Sequence, residues 1–500
     1  MLQEVRVTPL PIDRFFPLIG KRRASQLQTA IQHAQTILAG RRVWNINSTA
    51  TGGGVAEMLQ TLLGYERGCG IDARWLVIHG DEPFFAITKR LHNQLHGNLG
   101  DGGALVDAER AHYAKIQQQN AVKVLKQVRP HDIVIAHDPQ TAGLVPALRQ
   151  AGAVVIWRCH IGTDTHNEIM QQAWGFLRSY VAPAHAFIFS RRAFAPTWLD
   201  QERLRIVPPA IDAFSVKNQA MSGAVARTIL TRIGVLQPNG GRAKPQFTRL
   251  DGSTALVERQ AKVTHNGKLP TATTPLVVQV SRWDRLKDMI GVMRGFVRHL
   301  DRTHNVHLML VGPDVWGVTD DPEGIAVLSE CIAAWHKLPS MARDRVSLVC
   351  LPMEDVEENA AMVNALQRHA TIVVQKSLQE GFGLTVTEAM WKERPVVASA
   401  VGGIQEQIVH DEHGLLLENP SDLRRFGQAL QRLLVSQAFA RRLGKSARRR
   451  TLSLFLASSH MLRHIDLFGN LVQEFGIANG HQGKSEKTVT QPSAAVALAS

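Results

Sequence analysis

Cysteine is scarce and carries no spacing pattern. Its four residues (Cys69, Cys159, Cys331 and Cys350) include no Cys-x-x-Cys pair, which leaves no zinc or dithiol motif. The expected setting is therefore a reduced, cytoplasmic one. No apolar run approaches the roughly eighteen residues of a membrane-spanning helix. The opening Met-Leu-Gln-Glu-Val-Arg-Val lacks the basic-then-apolar order of a secretory leader. Asp-x-Asp, the carboxylate pair that commonly clamps Mg²⁺ or Mn²⁺ on a nucleotide diphosphate, occurs nowhere, and neither do G-x-x-x-x-G-K-[ST] or H-E-x-x-H. No helix-turn-helix signature or aromatic-interleaved basic strand points to nucleic acid.

What is present describes a globular chain of more than one domain: 500 residues, 44% apolar and 20% charged. The net charge is +14, part of it in Arg441-Arg442-Leu443-Gly444-Lys445-Ser446-Ala447-Arg448-Arg449-Arg450, which reads as a helix. A solvated basic face is the favoured reading of that run; a peripheral contact with anionic lipid is the lesser one. Monomer and homodimer are both left open.

Along the chain, short β-branched runs alternate with helical stretches, the pattern of parallel sheets covered by helices on both faces. Residues 1–40 read as an N-terminal arm, 41–214 as a first Rossmann-like domain, and 275–455 as a second. Between them, 215–274 is rich in Gly, Pro, Lys and Thr and reads as a linker with an insertion. A C-terminal helix over 456–477 and a disordered tail over 478–500 complete the expectation. The fold class is thus α/β, two doubly wound domains facing a cleft.

Four segments could carry chemistry. Gln375 to Glu388 reads as strand, glycine loop and helix, with Glu380 in the loop and Glu388 a turn into the helix. A helix N-terminus behind glycines attracts phosphate, whereas carboxylates there suit sugar hydroxyls; together they suggest a phosphorylated sugar held at both ends. Ser281-Arg282-Trp283-Asp284-Arg285-Leu286-Lys287 places two cations, Arg282 and Lys287, at a strand end, where they could offset charge on a departing diphosphate. Thr51-Gly52-Gly53-Gly54 opens a helix after the first strand and lets backbone approach a bound group. Trp157-Arg158-Cys159-His160 ends another strand, with Arg158 and Asp164 as weaker cleft candidates.

The run Gln-Lys-Ser-Leu-Gln-Glu-Gly-Phe-Gly-Leu-Thr-Val-Thr-Glu resembles the Glu-x7-Glu signature of family 4 retaining glycosyltransferases, most closely their trehalose-synthase branch. The resemblance covers about 42–213 and 276–435 and is most specific in the second domain. It implies the glycosyltransferase-B fold. It also implies a nucleotide diphosphate glucose as donor, glucose as acceptor and α,α-trehalose as product. By the same resemblance Glu388 would hold the ribose, Glu380 the donor sugar, and Arg282 with Lys287 the diphosphate, while His160 would lie near the reacting carbon. Gly53 and Gly54, and the Gly381-Phe382-Gly383-Leu384 turn, would approach the nucleotide sugar. No metal or other cofactor is expected. A retaining trehalose phosphorylase, or a transferase using another sugar or lipid acceptor, is the alternative.

Overall fold

The computed structural model describes residues 2–475 apart from 52–53, 165, 239, 242, 301–304 and 316–321. Runs such as Ile133-Val134-Ile135-Ala136 are apolar at every position because both faces of their sheet are covered, so no in–out alternation is required of them. Seven strands form the first sheet: β1 (Gln3–Val5), β2 (Val43–Asn47), β3 (Ala73–Val77), β4 (Ile133–His137), β5 (Val154–Cys159), β6 (Ala186–Phe189) and β7 (Leu204–Ile206). Their order is β1-β3-β2-β4-β5-β6-β7; β1 pairs antiparallel and the rest parallel. The N-terminal arm holds the helix Lys21–Ile37, and a three-residue edge strand such as β1 leaves no periodic signal in the sequence.

Residues 215–274 are largely built onto the second domain. They contain the helix Gly223–Arg232, a hairpin of β8 (Gln246–Thr248) and β9 (Thr254–Leu256), and β10 (Lys262–Thr264). The last of these is the antiparallel edge of the second sheet. That sheet continues with β11 (Leu276–Val280), β12 (His307–Pro313), β13 (Val346–Leu351), β14 (Ile372–Gln375), β15 (Val396–Ser399) and β16 (Leu415–Leu417), in the order β10-β13-β12-β11-β14-β15-β16. Ile229, Ile233 and Phe247 join its core. The chain is therefore α/β with two doubly wound sheets.

Both sheets reverse their strand order once, at β2/β4 in the first and at β11/β14 in the second. Loops leaving neighbouring strands there depart to opposite faces and open a crevice at the strand C-termini, where ligands of open α/β sheets bind. The chain then returns to its first domain. Ile211 exchanges backbone hydrogen bonds with Phe455 and Ala457, at 2.9 and 3.0 Å, and the helix Ala457–Phe475 covers one face of the first sheet. Its Met461, Ile465 and Phe468 share a core with Leu27, Leu59 and Trp75. Among the described residues no helix is long and apolar enough to cross a membrane.

Trp283 anchors the β11 loop. It is 1% exposed, and its indole N–H donates to the Pro313 carbonyl at 2.8 Å. The ring lies so close over Gly312 that a Cβ there would fall 2.5 Å from the indole. Trp283→Ala should therefore cost about 3–5 kcal/mol, read as a lower urea midpoint; an unchanged midpoint would show the indole is not what holds this loop.

Candidate active site

The second-domain crevice is built by two loops on neighbouring strands. After β14 the chain runs through Lys376–Gly383 into the helix Leu384–Trp391. Gly383 caps that helix at φ 81°, a left-handed conformation that favours glycine. Leu384 is the first helical residue, and Phe382 is buried with its ring centroid 5.9 Å from that of Phe455. The turn after β15 presses on this loop: Gly403 N–H donates to the Gly381 carbonyl at 2.8 Å. A Cβ on Gly402 would meet the Glu380 carbonyl oxygen at 1.7 Å. Glycine at 402 is thus a condition for the position of Glu380.

The Glu380 carboxylate is gripped from three sides. Oε1 accepts from Lys287 Nζ at 2.8 Å, and Oε2 accepts from Ser377 Oγ at 3.0 Å and Gln375 Nε2 at 3.3 Å. The two charged side chains are 14% and 11% exposed, so water screens the pair only in part. Lys287 closes a tight turn, Arg285–Lys287, capped by Asp284, whose Oδ1 accepts the Leu286 N–H at 2.8 Å. Asp288, at φ 47°, then caps the helix Met289–His299 and forms an ion pair with buried Lys376. That pair ties the β11 loop to the β14 loop. Arg282 is 74% exposed and contacts Asp284 at 3.3 Å; it lies at the same strand end but is not joined to Glu380.

Glu388 is buried one turn further on. Its Oε2 accepts from Gln367 Nε2 at 3.4 Å, and its Oε1 lies 3.8 Å from Lys217 Nζ, which is also 3.8 Å from Glu57 of the helix Gly54–Gly68. The Glu388 carboxylate is the main influence raising the Lys217 pKa. Burial pushes the neighbouring Lys392 down to about 7, opposed by Glu388. Gly54 starts its helix with open space around it, whereas Gly53 lies outside the described residues.

The first domain contributes the ends of β4 and β5. His137 Nε2–H donates to Asn45 Oδ1 at 2.9 Å, which leaves His137 Nδ1 to accept from His160 Nε2 at 3.0 Å. The two rings stack, 5.3 Å apart and 9° from parallel. Burial, then the charge of Arg158, holds both histidines well below the usual imidazole range, so both are neutral. Asp138, at φ 62°, accepts the His160 backbone N–H at 2.7 Å. Arg158 itself is 1% exposed and turned into the core. Across the cleft, Asp164 Oδ2 accepts from Gly402 N at 2.6 Å and from Gln405 Nε2 at 3.0 Å, and Arg191 Nε donates to Glu406 at 3.0 Å. The turn that positions Glu380 is therefore also where the domains meet.

Sequence reasoning brings Glu380 and Lys287 to one point and His160 to the facing domain, but it misses Asp138, Lys217 and Gln367. His-Asp-Pro after β4 forms no motif, and Lys217 sits in a stretch whose composition reads as linker. A strand-end His-Asp beside a second strand-end His was the available signal.

Burial pushes the Asp138 carboxyl from 3.8 up to about 7, opposed by its hydrogen bond from His160 and by Arg158. Between those values the folded chain keeps a proton that the unfolded chain has shed, so this group's contribution to stability falls as pH rises from about 4 to 7. Asp138→Asn retains the acceptor oxygen without the titration. Its stability relative to the parent should improve across that window in urea unfolding series; a difference independent of pH would contradict the burial of Asp138.

Residues 45–196 match the family model described as "Trehalose synthase, N-terminal domain", and 356–450 match that of "Glycosyl transferases group 1". A trehalose synthase of Rubrobacter xylanophilus is 34% identical over 450 residues, covering 89% of this chain and 94% of that one. One from Pyrococcus horikoshii is 31% identical over 460 residues, covering 92% and 96%. The α,α-trehalose 6-phosphate synthase structure from Burkholderia multivorans has the same fold, with a TM-score of 0.63 over 89% of this chain and 100% of that one at 14% identity. With two doubly wound domains, a shared cleft and relatives matched over nearly their whole length, this chain belongs to the trehalose synthase family of glycosyltransferases and has the glycosyltransferase-B fold.

Proposed function

We propose that the chain is a retaining hexosyltransferase that moves glucose from a nucleotide diphosphate glucose to glucose, forming α,α-trehalose. The observation that carries this reading is the Lys287–Glu380 pair at the β11/β14 switch point, with Glu388 one helical turn behind it. A carboxylate accepts hydrogen bonds from sugar hydroxyls: Glu380 suits the donor glucose and Glu388 the ribose. Lys287, the exposed Arg282, and the start of the helix Leu384–Trp391 supply positive charge for the diphosphate, so that no metal is required. The His137–His160 pair and Asp138 line the acceptor side.

Retention is taken from the family resemblance, and these residues suit a same-face step better than a covalent intermediate. Both oxygens of Glu380 are already committed to Lys287, Ser377 and Gln375, which makes it an orienting acceptor and a poor nucleophile. In the proposed step the bond from sugar C1 to the phosphate oxygen breaks, and a bond from C1 to the acceptor oxygen forms on the same face. The acceptor's proton passes to the leaving phosphate, whose charge Lys287 and Arg282 hold.

Incubation with UDP-, ADP- or GDP-glucose plus glucose should give trehalose and one equivalent of nucleoside diphosphate, read by chromatography, and EDTA should leave the rate unchanged. Trehalose formed from α-glucose 1-phosphate and glucose with release of inorganic phosphate, and none from the nucleotide sugars, would assign a phosphorylase instead, and loss with EDTA restored by Mg²⁺ would overturn the metal-free reading. Glu380→Gln should lower kcat by about a hundredfold or more at nearly unchanged stability. Lys287→Ala should weaken nucleotide binding about tenfold or more by titration calorimetry. Wild-type turnover or an unchanged titration would remove these residues from their roles.

A further inference from the structure

Behind the first-domain site lies a cluster of buried ionisable side chains that the proposed reaction does not use. Arg158, on β5, is 1% exposed; Glu66, His460 and His464 around it are 0%, 2% and 0% exposed. Arg158 Nη1 lies 3.2 Å from Nε2 of His460 and 3.2 Å from Nε2 of His464. A guanidinium only donates, so both Nε2 atoms accept and both rings carry their hydrogen on Nδ1. His464 Nδ1–H is then directed at Glu66 Oε1, 3.2 Å away. The result is one cation and one anion, linked through a neutral imidazole, with every link inside the core.

The four residues come from three parts of the chain. Glu66 lies on the helix Gly54–Gly68, Arg158 on β5, and both histidines on the helix Ala457–Phe475, reached only after the chain has left the second domain. Arg158 is also the register partner of His137 across β4/β5 and stands two residues before His160. Burying an arginine costs heavily unless its charge is paired and its donors are met, so the site could have been built more cheaply with an apolar residue.

We propose that Arg158, clamped by His460 and His464 and balanced by Glu66, is the positioning residue for the His137–His160–Asp138 group, so that the last helix governs the reaction centre from behind. The charges bearing on this group come from every packed element. Arg158 is the charge acting on Asp138, and it acts on His160 together with His137. His464 adds to the Arg158 effect at His137, and Arg463, whose guanidinium donates to the Leu454 carbonyl at 2.9 Å, acts on both helix histidines. Glu66 and Asp138 are the anions facing Arg158. Weakening the anion should leave Arg158 acting more strongly on Asp138; removing the cation should do the reverse.

The role of Arg158 in turnover rests on the transferase reading above, but its field can be measured without turnover. With aspartate labelled at the carboxyl carbon, the Asp138 signal is identified by its loss in Asp138→Asn and titrated by NMR in the full chain. Glu66→Gln should move its midpoint down and Arg158→Met should move it up, each by about one pH unit. The double variant Glu66→Gln/Arg158→Met leaves no charge unpaired; measured against Glu66→Gln alone, its midpoint should lie higher, which keeps the Arg158 effect testable if Arg158→Met alone does not fold. In the transfer assay, Glu66→Gln and His464→Gln should lower kcat several-fold while nucleotide affinity stays at the wild-type value. Midpoints that do not move, or move in the same direction, overturn the proposal. So does a fall in kcat matched by equal losses of nucleotide affinity and thermal stability, the mark of a purely structural cluster. A wild-type chain that transfers no glucose yet shows the opposed shifts would refute the reaction and leave the positioning intact.

Discussion

The ion pair between Lys287 and Glu380 is the constraint around which the second domain is arranged. A carboxylate and an ammonium with so little exposure are stable only where geometry and further hydrogen bonds offset their desolvation. Each neighbouring feature serves that end. Ser377 and Gln375 satisfy the second oxygen, Asp284 closes the turn that presents Lys287, and the buried Lys376–Asp288 pair locks the two loops together. Gly402 allows another turn to reach the Glu380 backbone, where any side chain would collide. The parallel pairing of β11 with β14 brings the two loops side by side in the first place.

The same turn connects the domains. Asp164 accepts from the Gly402 N–H while Gly402 rests on Glu380, so contact across the cleft and the position of the Glu380 carboxylate are linked through one residue. On the other side, the chain returns from the second domain to cover the first sheet, and its last helix supplies the two imidazoles that hold Arg158. Each half of the cleft is thus braced by residues from the other half of the chain.

Much of this arrangement was legible in the sequence, for specific reasons. Parallel strands covered on both faces are continuously apolar, so β4 and β14 stand out, and the doubly wound class follows from their alternation with helices. Glu380 and Glu388 stood out because a glycine turn lies between strand and helix there, and Lys287 because it follows a strand end; their roles came from the family resemblance. Asp138 was not, because its importance comes from burial and from a hydrogen bond to a residue on another strand. Lys217 was hidden by its surroundings: a segment rich in Gly, Pro and Thr reads as linker, although it folds onto the second sheet. Glu66, His460 and His464 lie nearly four hundred residues apart at the extremes, roughly the span over which no local pattern can report a contact. Arg158, by sequence a minor cleft candidate, proves to be buried against the last helix.

The account stands most directly on where the donor binds. A crystal structure of the chain with a nucleoside diphosphate is predicted to place the diphosphate between Lys287, Arg282 and the start of the helix Leu384–Trp391, with the ribose hydroxyls on Glu388. A nucleotide seated elsewhere, or one that leaves the Glu388 carboxylate untouched, would contradict it.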